Sequence, residues 1–197
     1  LTDHDGLFTN LVDDLIRKIN LYGCHFASLD IRQDSRVLRD VHAFCRQSKP
    51  IISLFPADYD ALSEAEKISM LSFKSAKLNY ADQGDELIND TLQTIAEIKA
   101  IQQRNGEMAC HRFIISNCQQ ASDILQLMEL FLWNGWDEND LSIDFVPLFE
   151  TVNDLEGADE IMRTLYTHPF YQKHLAKRGN KQDIMLGFSD STKDGGY

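Results

Sequence analysis

No apolar run in this chain approaches the roughly 20 residues that a membrane-spanning helix needs, and nothing at its start has the order of a secretory signal. No membrane partner is therefore expected. Basic residues are scarce: 19 Lys and Arg stand against 31 Asp and Glu, a formal net charge of −12. That balance argues against general nucleic-acid binding and against attraction to an anionic membrane surface. The four cysteines, Cys24, Cys45, Cys110 and Cys118, include no C-x-x-C pair. They read as reduced thiols of a cytoplasmic protein, neither a zinc site nor a disulfide framework. No G-x-G-x-x-G follows any apolar run, which leaves a dinucleotide-binding fold without support. Histidines lack ligand spacing: His4, His25, His42, His111 and His174 read as structural or exposed, and His168-Pro169 as a helix start. An initiator methionine is missing too, and the chain stops inside its most informative motif, as a piece of a longer protein would.

What is present suits an ordinary globular chain. Its 197 residues, 43% hydrophobic and 25% charged, are enough to bury a sizeable core in one domain or slightly more. Leu11, Leu15 and Ile19 recur four apart and stop before Gly23, which predicts an amphipathic helix from Leu7 to Leu21. A strand is expected over Cys24–Ile31, with Arg32 at its carboxyl end, then a helix over Arg36–Arg46. No strand is legible between Pro50 and Gly106. Ser63-Glu64-Ala65-Glu66 is a capping box for a helix reaching about Leu78, and Ile88, Leu92, Ile95 and Ile98 mark a longer one over Asp85–Arg104. This stretch reads as a helical insertion, residues 50–106, with its Lys and Glu residues on a solvated face.

Past Gly106 the rhythm is strand, helix, strand, helix, strand. The strands are His111–Ser116, Ile143–Phe149 and about Asp183–Phe188. The first intervening helix is Ala121–Trp133, apolar enough for burial on several sides. The second follows Thr151 as N-cap, with Leu155, Ala158, Ile161, Met162 and Leu165 as its apolar positions. Short apolar strands separated by helices predict an α/β fold with parallel pairing through crossover helices. Four such strands would be half of an eight-stranded β/α barrel, a fold that places its chemistry at the carboxyl ends of the strands. Those ends carry Arg32, Asn117, Glu150 and Asp190. Pro147, unable to donate to a ladder, predicts an irregularity in its strand.

The last apolar run, Ile184-Met185-Leu186, leads into Gly187-Phe188-Ser189-Asp190-Ser191-Thr192-Lys193-Asp194-Gly195-Gly196, which reads as a polar loop. Carboxylates past strand ends suit a hard cation such as magnesium, so Glu150 and Asp190 are metal candidates; the same residues could equally cap helices. Arg32 is an anion candidate through its forked guanidinium, or the internal partner of Asp30 or Asp34. Lys193 is either a substrate-facing cation or a solvated loop lysine. Asn117 and Gln119 are polar groups that could line a pocket.

The terminal stretch resembles the strand-and-loop signature of phosphoenolpyruvate carboxylase, (M)-(I/L)-G-(Y/F)-S-D-S-x-K-D-(A/G)-G. Leu29-Asp30-Ile31-Arg32-Gln33-Asp34-Ser35 and Val146-Pro147-Leu148-Phe149-Glu150-Thr151 are similar to two further motifs of that family, in the same order. The resemblance covers nearly the whole chain but only the middle of the family's sequence. It implies part of a β/α barrel and the carboxylation of phosphoenolpyruvate by bicarbonate to oxaloacetate and phosphate. It also implies Mg2+ or Mn2+ and a homo-oligomer, a tetramer in the family. On this resemblance Glu150 and Asp190 hold the metal, Arg32 contacts the substrate phosphate, and Lys193 is catalytic, associated with bicarbonate. The family's T-A-H-P-T histidine and G-R-G-G loop lie outside this chain, so the piece alone is expected to be inactive. Two other readings stand beside it: another metal-dependent barrel acting on phosphoenolpyruvate or pyruvate, and a non-catalytic scaffold.

Overall fold

The computed structural model describes residues 6–23, 25–49, 51–74, 78 and 86–196. Its elements in chain order are α1 (Thr9–Tyr22), β1 (Asp30–Asp34), α2 (Ser35–Arg46), α3 (Glu64–Met70), α4 (Glu86–Asn105) and β2 (Arg112–Ser116). Then come α5 (Ala121–Trp133), β3 (Asp144–Phe149), α6 (Val152–Thr167), α7 (Pro169–Lys177), β4 (Met185–Leu186) and α8 (Phe188–Gly195). The four strands form one sheet in the order β1-β2-β3-β4, every pair parallel. The chain is thus α/β, with crossover helices between neighbouring strands, as the alternating rhythm predicts.

Register divides the sheet into two faces. Ile31, Phe113 and Phe145 stand in line, and with Ile115 and Phe149 they face the main core. Arg32, Ile114 and Val146 stand in line on the other face, where Ile114, Val146 and Leu148 form a small separate cluster backed by Met185. The helical layer centres on α5, whose thirteen residues are all buried. Around it lie α2, α3, α4 and α6. The helices between α2 and β2 belong to this layer: α4 buries Leu92, Ile95 and Ile98, and its Thr91 accepts from Gln33 of β1 at 3.2 Å.

Several boundaries differ from expectation. The first strand begins at Asp30, not at residue 24, and continues two residues past Arg32. Phe26 has φ +63°, its N–H donates to the Tyr22 carbonyl at 2.8 Å, and its ring stacks on Tyr22 at 5.3 Å. Those local contacts close α1 and hold the residues before Ser28 out of the ladder; Cys24 lies outside the described residues. The helix opened by the Ser63–Glu66 capping box stops at Met70 rather than near Leu78. Ser72 and Phe73 donate their N–H groups to the buried Glu129 of α5, at 2.8 and 3.1 Å. An α-helix would commit those groups to its own turn. Residues 75–77, the start of the long helix at Asp85, and His4 lie outside the described residues. Pro147 sits inside β3 without interrupting its pairing to β2. The ladder to β4 involves only Leu148 and Phe149, beyond the proline.

α1 is amphipathic as predicted, yet none of its residues is buried, and Leu11, Leu15 and Ile19 are more than half exposed. Cys45, Cys110 and Cys118 are buried free thiols. No helix among the described residues is long and apolar enough to cross a membrane.

His174 of α7 supplies a test of the core's electrostatics. Burial, and secondarily the nearby Arg178, push its pKa down from 6.5 to about 4. An unfolded chain therefore binds a proton at His174 that the folded chain refuses. The resulting stability is fully present above pH 6.5 and is lost as the pH falls from 6.5 towards 4. Between pH 7 and pH 5 this one group should cost about 2 kcal/mol of unfolding free energy. His42 acts in the same direction through burial. Buried Asp123 opposes it, because its raised pKa favours the folded state at lower pH. Urea unfolding across this range should show the loss, and His174→Gln should flatten it. An unchanged pH slope in that variant would show that His174 is not the group responsible.

Candidate active site at the strand ends

β1 delivers Arg32 to the sheet face away from the helices. Its two sequence neighbours, the acids most available to neutralise it, are engaged elsewhere. Asp30 accepts from Arg112 Nε at 2.8 Å. Asp34 caps α2, accepting from the Arg36 N–H at 2.8 Å and from both Nε and Nη2 of the Arg36 guanidinium. That triple contact holds the Asp34 carboxyl below its usual range, the Arg36 side chain contributing most. Arg32 instead faces Glu150 across the sheet, Nη2 to Oε2 at 3.7 Å, with half of its side chain exposed.

Glu150 closes β3. The turn that follows is fixed by a reciprocal cap: Thr151 Oγ1 accepts from the Asp154 N–H at 3.1 Å, while Asp154 Oδ2 accepts from the Thr151 N–H at 3.0 Å. Asp154 Oδ2 also receives the Glu150 N–H at 3.3 Å. The capping role is thus filled by Thr151 and Asp154 together, and the Glu150 side chain remains with Arg32 and with the Asn117 N–H at 3.4 Å. Asn117, at φ +53°, joins the ends of β1 and β2 by taking the Ser35 hydroxyl on its carbonyl at 2.6 Å. Gln119 donates its N–H to Asp123 at 3.1 Å and lines a different hollow, of about 230 Å3, beside α6.

The terminal motif is not a loop. Phe188–Gly195 forms α8, two turns long, after a last strand of only Met185–Leu186. Ser191 and Thr192 return their hydroxyls to the carbonyls of Glu150 and Phe188, at 2.7 and 2.9 Å, and Asp194 receives the Val152 N–H. These contacts hold as a helix what its glycines and polar residues suggest as a loop. Asp190 and Lys193 lie on α8, paired at 3.0 Å and both largely exposed.

The structure therefore groups the four sequence candidates into two pairs, Arg32 from the middle of β1 with Glu150 just past β3, and Asp190 with Lys193 on α8 just past β4. Among the described residues no cluster of three or more His, Cys, Asp or Glu side chains could enclose a metal by itself. Missed from sequence were Gly187, Ser191 and Asp194, which tie α8 to the end of β3. Local sequence carried no signal for them, because their partners Glu150 and Val152 stand about 40 residues earlier in the chain. A concave space of about 550 Å3 lies against the same sheet face, lined among others by Asp30, Arg112, Ile114, Val146 and Met185.

A family model described as phosphoenolpyruvate carboxylase matches residues 1–197. This chain belongs to the phosphoenolpyruvate carboxylase family. It is similar to the phosphoenolpyruvate carboxylase of Burkholderia mallei (strain SAVP1), 32% identical over 210 residues that cover 98% of this chain and 20% of the relative. It is also similar to the phosphoenolpyruvate carboxylase of Chromobacterium violaceum, 36% identical over 200 residues, 93% of this chain and 21% of that one. The chain thus spans about a fifth of the length of the curated relatives it matches. That is consistent with an internal piece of a phosphoenolpyruvate carboxylase.

Proposed function

We propose that this chain is part of an enzyme that carboxylates phosphoenolpyruvate with bicarbonate, giving oxaloacetate and phosphate, and that its four strands are part of a β/α barrel. Membership in the family supports the reaction. The observation that carries the site assignment is the freedom of Arg32, whose neighbouring acids are bound by Arg112 and Arg36. A charged, half-exposed guanidinium beside a carboxylate at the strand ends suits a multiply negative substrate that the net charge of −12 would otherwise repel.

Glu150 and Asp190 are the residues that would hold a divalent ion, Mg2+ or Mn2+. Their donor chemistry fits: two hard carboxylate oxygens leave the remaining positions to water or substrate, the pattern magnesium favours. When bound, the ion supplies positive charge against the charge that develops on the reacting substrate. Arg32 takes phosphate oxygens in its fork and orients the phosphoryl group for attack. Lys193 presents its ammonium to the incoming bicarbonate and balances Asp190 until substrate arrives. The working protein is a full-length homo-oligomer in the cytoplasm, and the 197-residue piece alone is inactive.

In the full-length enzyme, oxaloacetate should form only with both phosphoenolpyruvate and bicarbonate present. Asp190→Asn and Glu150→Gln keep shape and remove one ligand charge each, so each should raise the metal concentration for half-activation at least tenfold. Metal titrations of initial rate check this. An unchanged requirement in both variants would leave the two acids with no role in metal binding.

A further inference from the structure

The motif that closes the chain holds more than a metal ligand and a lysine. Four of its other residues address one short stretch, Glu150–Val152. Gly187 passes so close to β3 that a Cβ on it would lie 2.6 Å from Glu150 Cβ and 3.1 Å from Glu150 Cα, a gap that admits only glycine. Its N–H donates to the Phe149 carbonyl at 2.9 Å. Ser191 Oγ donates to the Glu150 carbonyl at 2.7 Å. Asp194 Oδ2 accepts the Val152 N–H at 2.9 Å. A Cβ on Gly195 would lie 2.8 Å from Val152 Cγ2.

The Val152 contact does not duplicate the α6 cap. Thr151 and Asp154 already satisfy each other and the Glu150 N–H, while the first N–H of α6 goes to Asp194. α8 is too short to persist alone, so contacts with its neighbours set its orientation. Asp190 and Asp194 lie one turn apart on the same helical face, so fixing Asp194 against Val152 fixes where the Asp190 carboxylate stands relative to Glu150.

We propose that Asp194 is a positioning residue: helped by Gly187 and Ser191, it clamps α8 to the start of α6 and so sets the spacing of Glu150 and Asp190 for a divalent cation. This rests on the reading of those two acids as metal ligands. It gives Gly187, Ser191 and Asp194 one shared role around a single ligand.

The test is Mn2+ binding to the full-length protein without substrate, followed by the electron paramagnetic resonance of free Mn2+. Asp194→Ala should weaken Mn2+ about tenfold, as loss of a group that orients a ligand does. Asp194→Asn, which keeps an acceptor, should recover part of that loss. The double variant Asp190→Asn/Asp194→Ala should bind no more weakly than Asp190→Asn alone, because a positioner acts only through the ligand it positions. Ser63→Ala, which removes a cap on distant α3, should leave the affinity unchanged. If Asp194→Ala melts too early to titrate, Ser191→Ala removes one hydroxyl from the same clamp and carries the comparison. Unchanged Mn2+ binding in Asp190→Asn and Glu150→Gln would overturn the ligand assignment and this inference with it. Weakened binding in those two, with Asp194→Ala normal or fully additive to Asp190→Asn, would overturn the positioning role alone.

Discussion

Arg32→Lys in the full-length enzyme should lower kcat/KM for phosphoenolpyruvate by about two orders of magnitude. The change keeps the positive charge and removes only the planar fork. Charge-assisted hydrogen bonds are worth about 1.5–3 kcal/mol each, and a lysine reaching from the same backbone position replaces two directed bonds with one. The alternative, that Arg32 is an internal ion-pair residue, predicts a different outcome. Asp30 and Asp34 have their own arginines at 2.8 Å, so neither depends on Arg32. Among the described residues, the acid that Arg32 pairs with is Glu150, at 3.7 Å and poorly placed for a strong pair. A lysine there would maintain so loose a contact at little cost to folding. Steady-state kinetics paired with a thermal melt separates the two cases. Wild-type kinetics in Arg32→Lys would remove the phosphate role, and a large melting shift would move Arg32 to the fold.

The contrast between the two ends of β1 shows what was legible and what was not. α5 was readable because its dense Leu, Met and Phe content stops before Gly135, and the structure places it at Ala121–Trp133 as expected. The parallel sheet was readable because apolar runs alternate with amphipathic stretches and no hairpin turn intervenes. β1 was misplaced by six residues at its start, since Phe26 and Leu29 look like strand residues while Asp30, Arg32 and Asp34 look like a loop. The strand runs through the charged stretch because its far face carries charge as pairs, Asp30 with Arg112 and Arg32 with Glu150, that only the sheet brings together. Pairing between strands leaves no trace in local periodicity. The terminal motif failed as a loop for a related reason. Its helix is held by Ser191 and Asp194 against residues that sit a full crossover away in sequence.

Glu129 is the sharpest case of a residue that sequence leaves mute, and Glu129→Ala should cost about 3–5 kcal/mol of stability. It stands among leucines, Met128 and Phe131 in the middle of α5 and is fully buried. Its Oε2 lies 3.0 Å from His42 Nε2, and its Oε1 accepts the N–H groups of Ser72 and Phe73. Burial holds the His42 pKa below 6.5, so at neutral pH the ring is uncharged and donates one N–H to the carboxylate while stacking on Trp133 at 4.8 Å. Three donors from α2 and from the segment after α3 thus converge on one carboxylate. Truncating it leaves buried His42 and the half-buried N–H groups of Ser72 and Phe73 without an acceptor, each at up to about 1–3 kcal/mol before relaxation. Glu129→Gln retains a carbonyl for the two backbone donors, and its amide can donate to His42 once the imidazole proton moves to the other nitrogen. That variant should therefore lose clearly less, about 1–2 kcal/mol. Urea unfolding gives both values, and protease cleavage after Met70 should accelerate in Glu129→Ala as the segment that bends away from α3 loses its anchor. Equal losses in the two variants would mean that the charge, and not the acceptor geometry, holds this corner of the core.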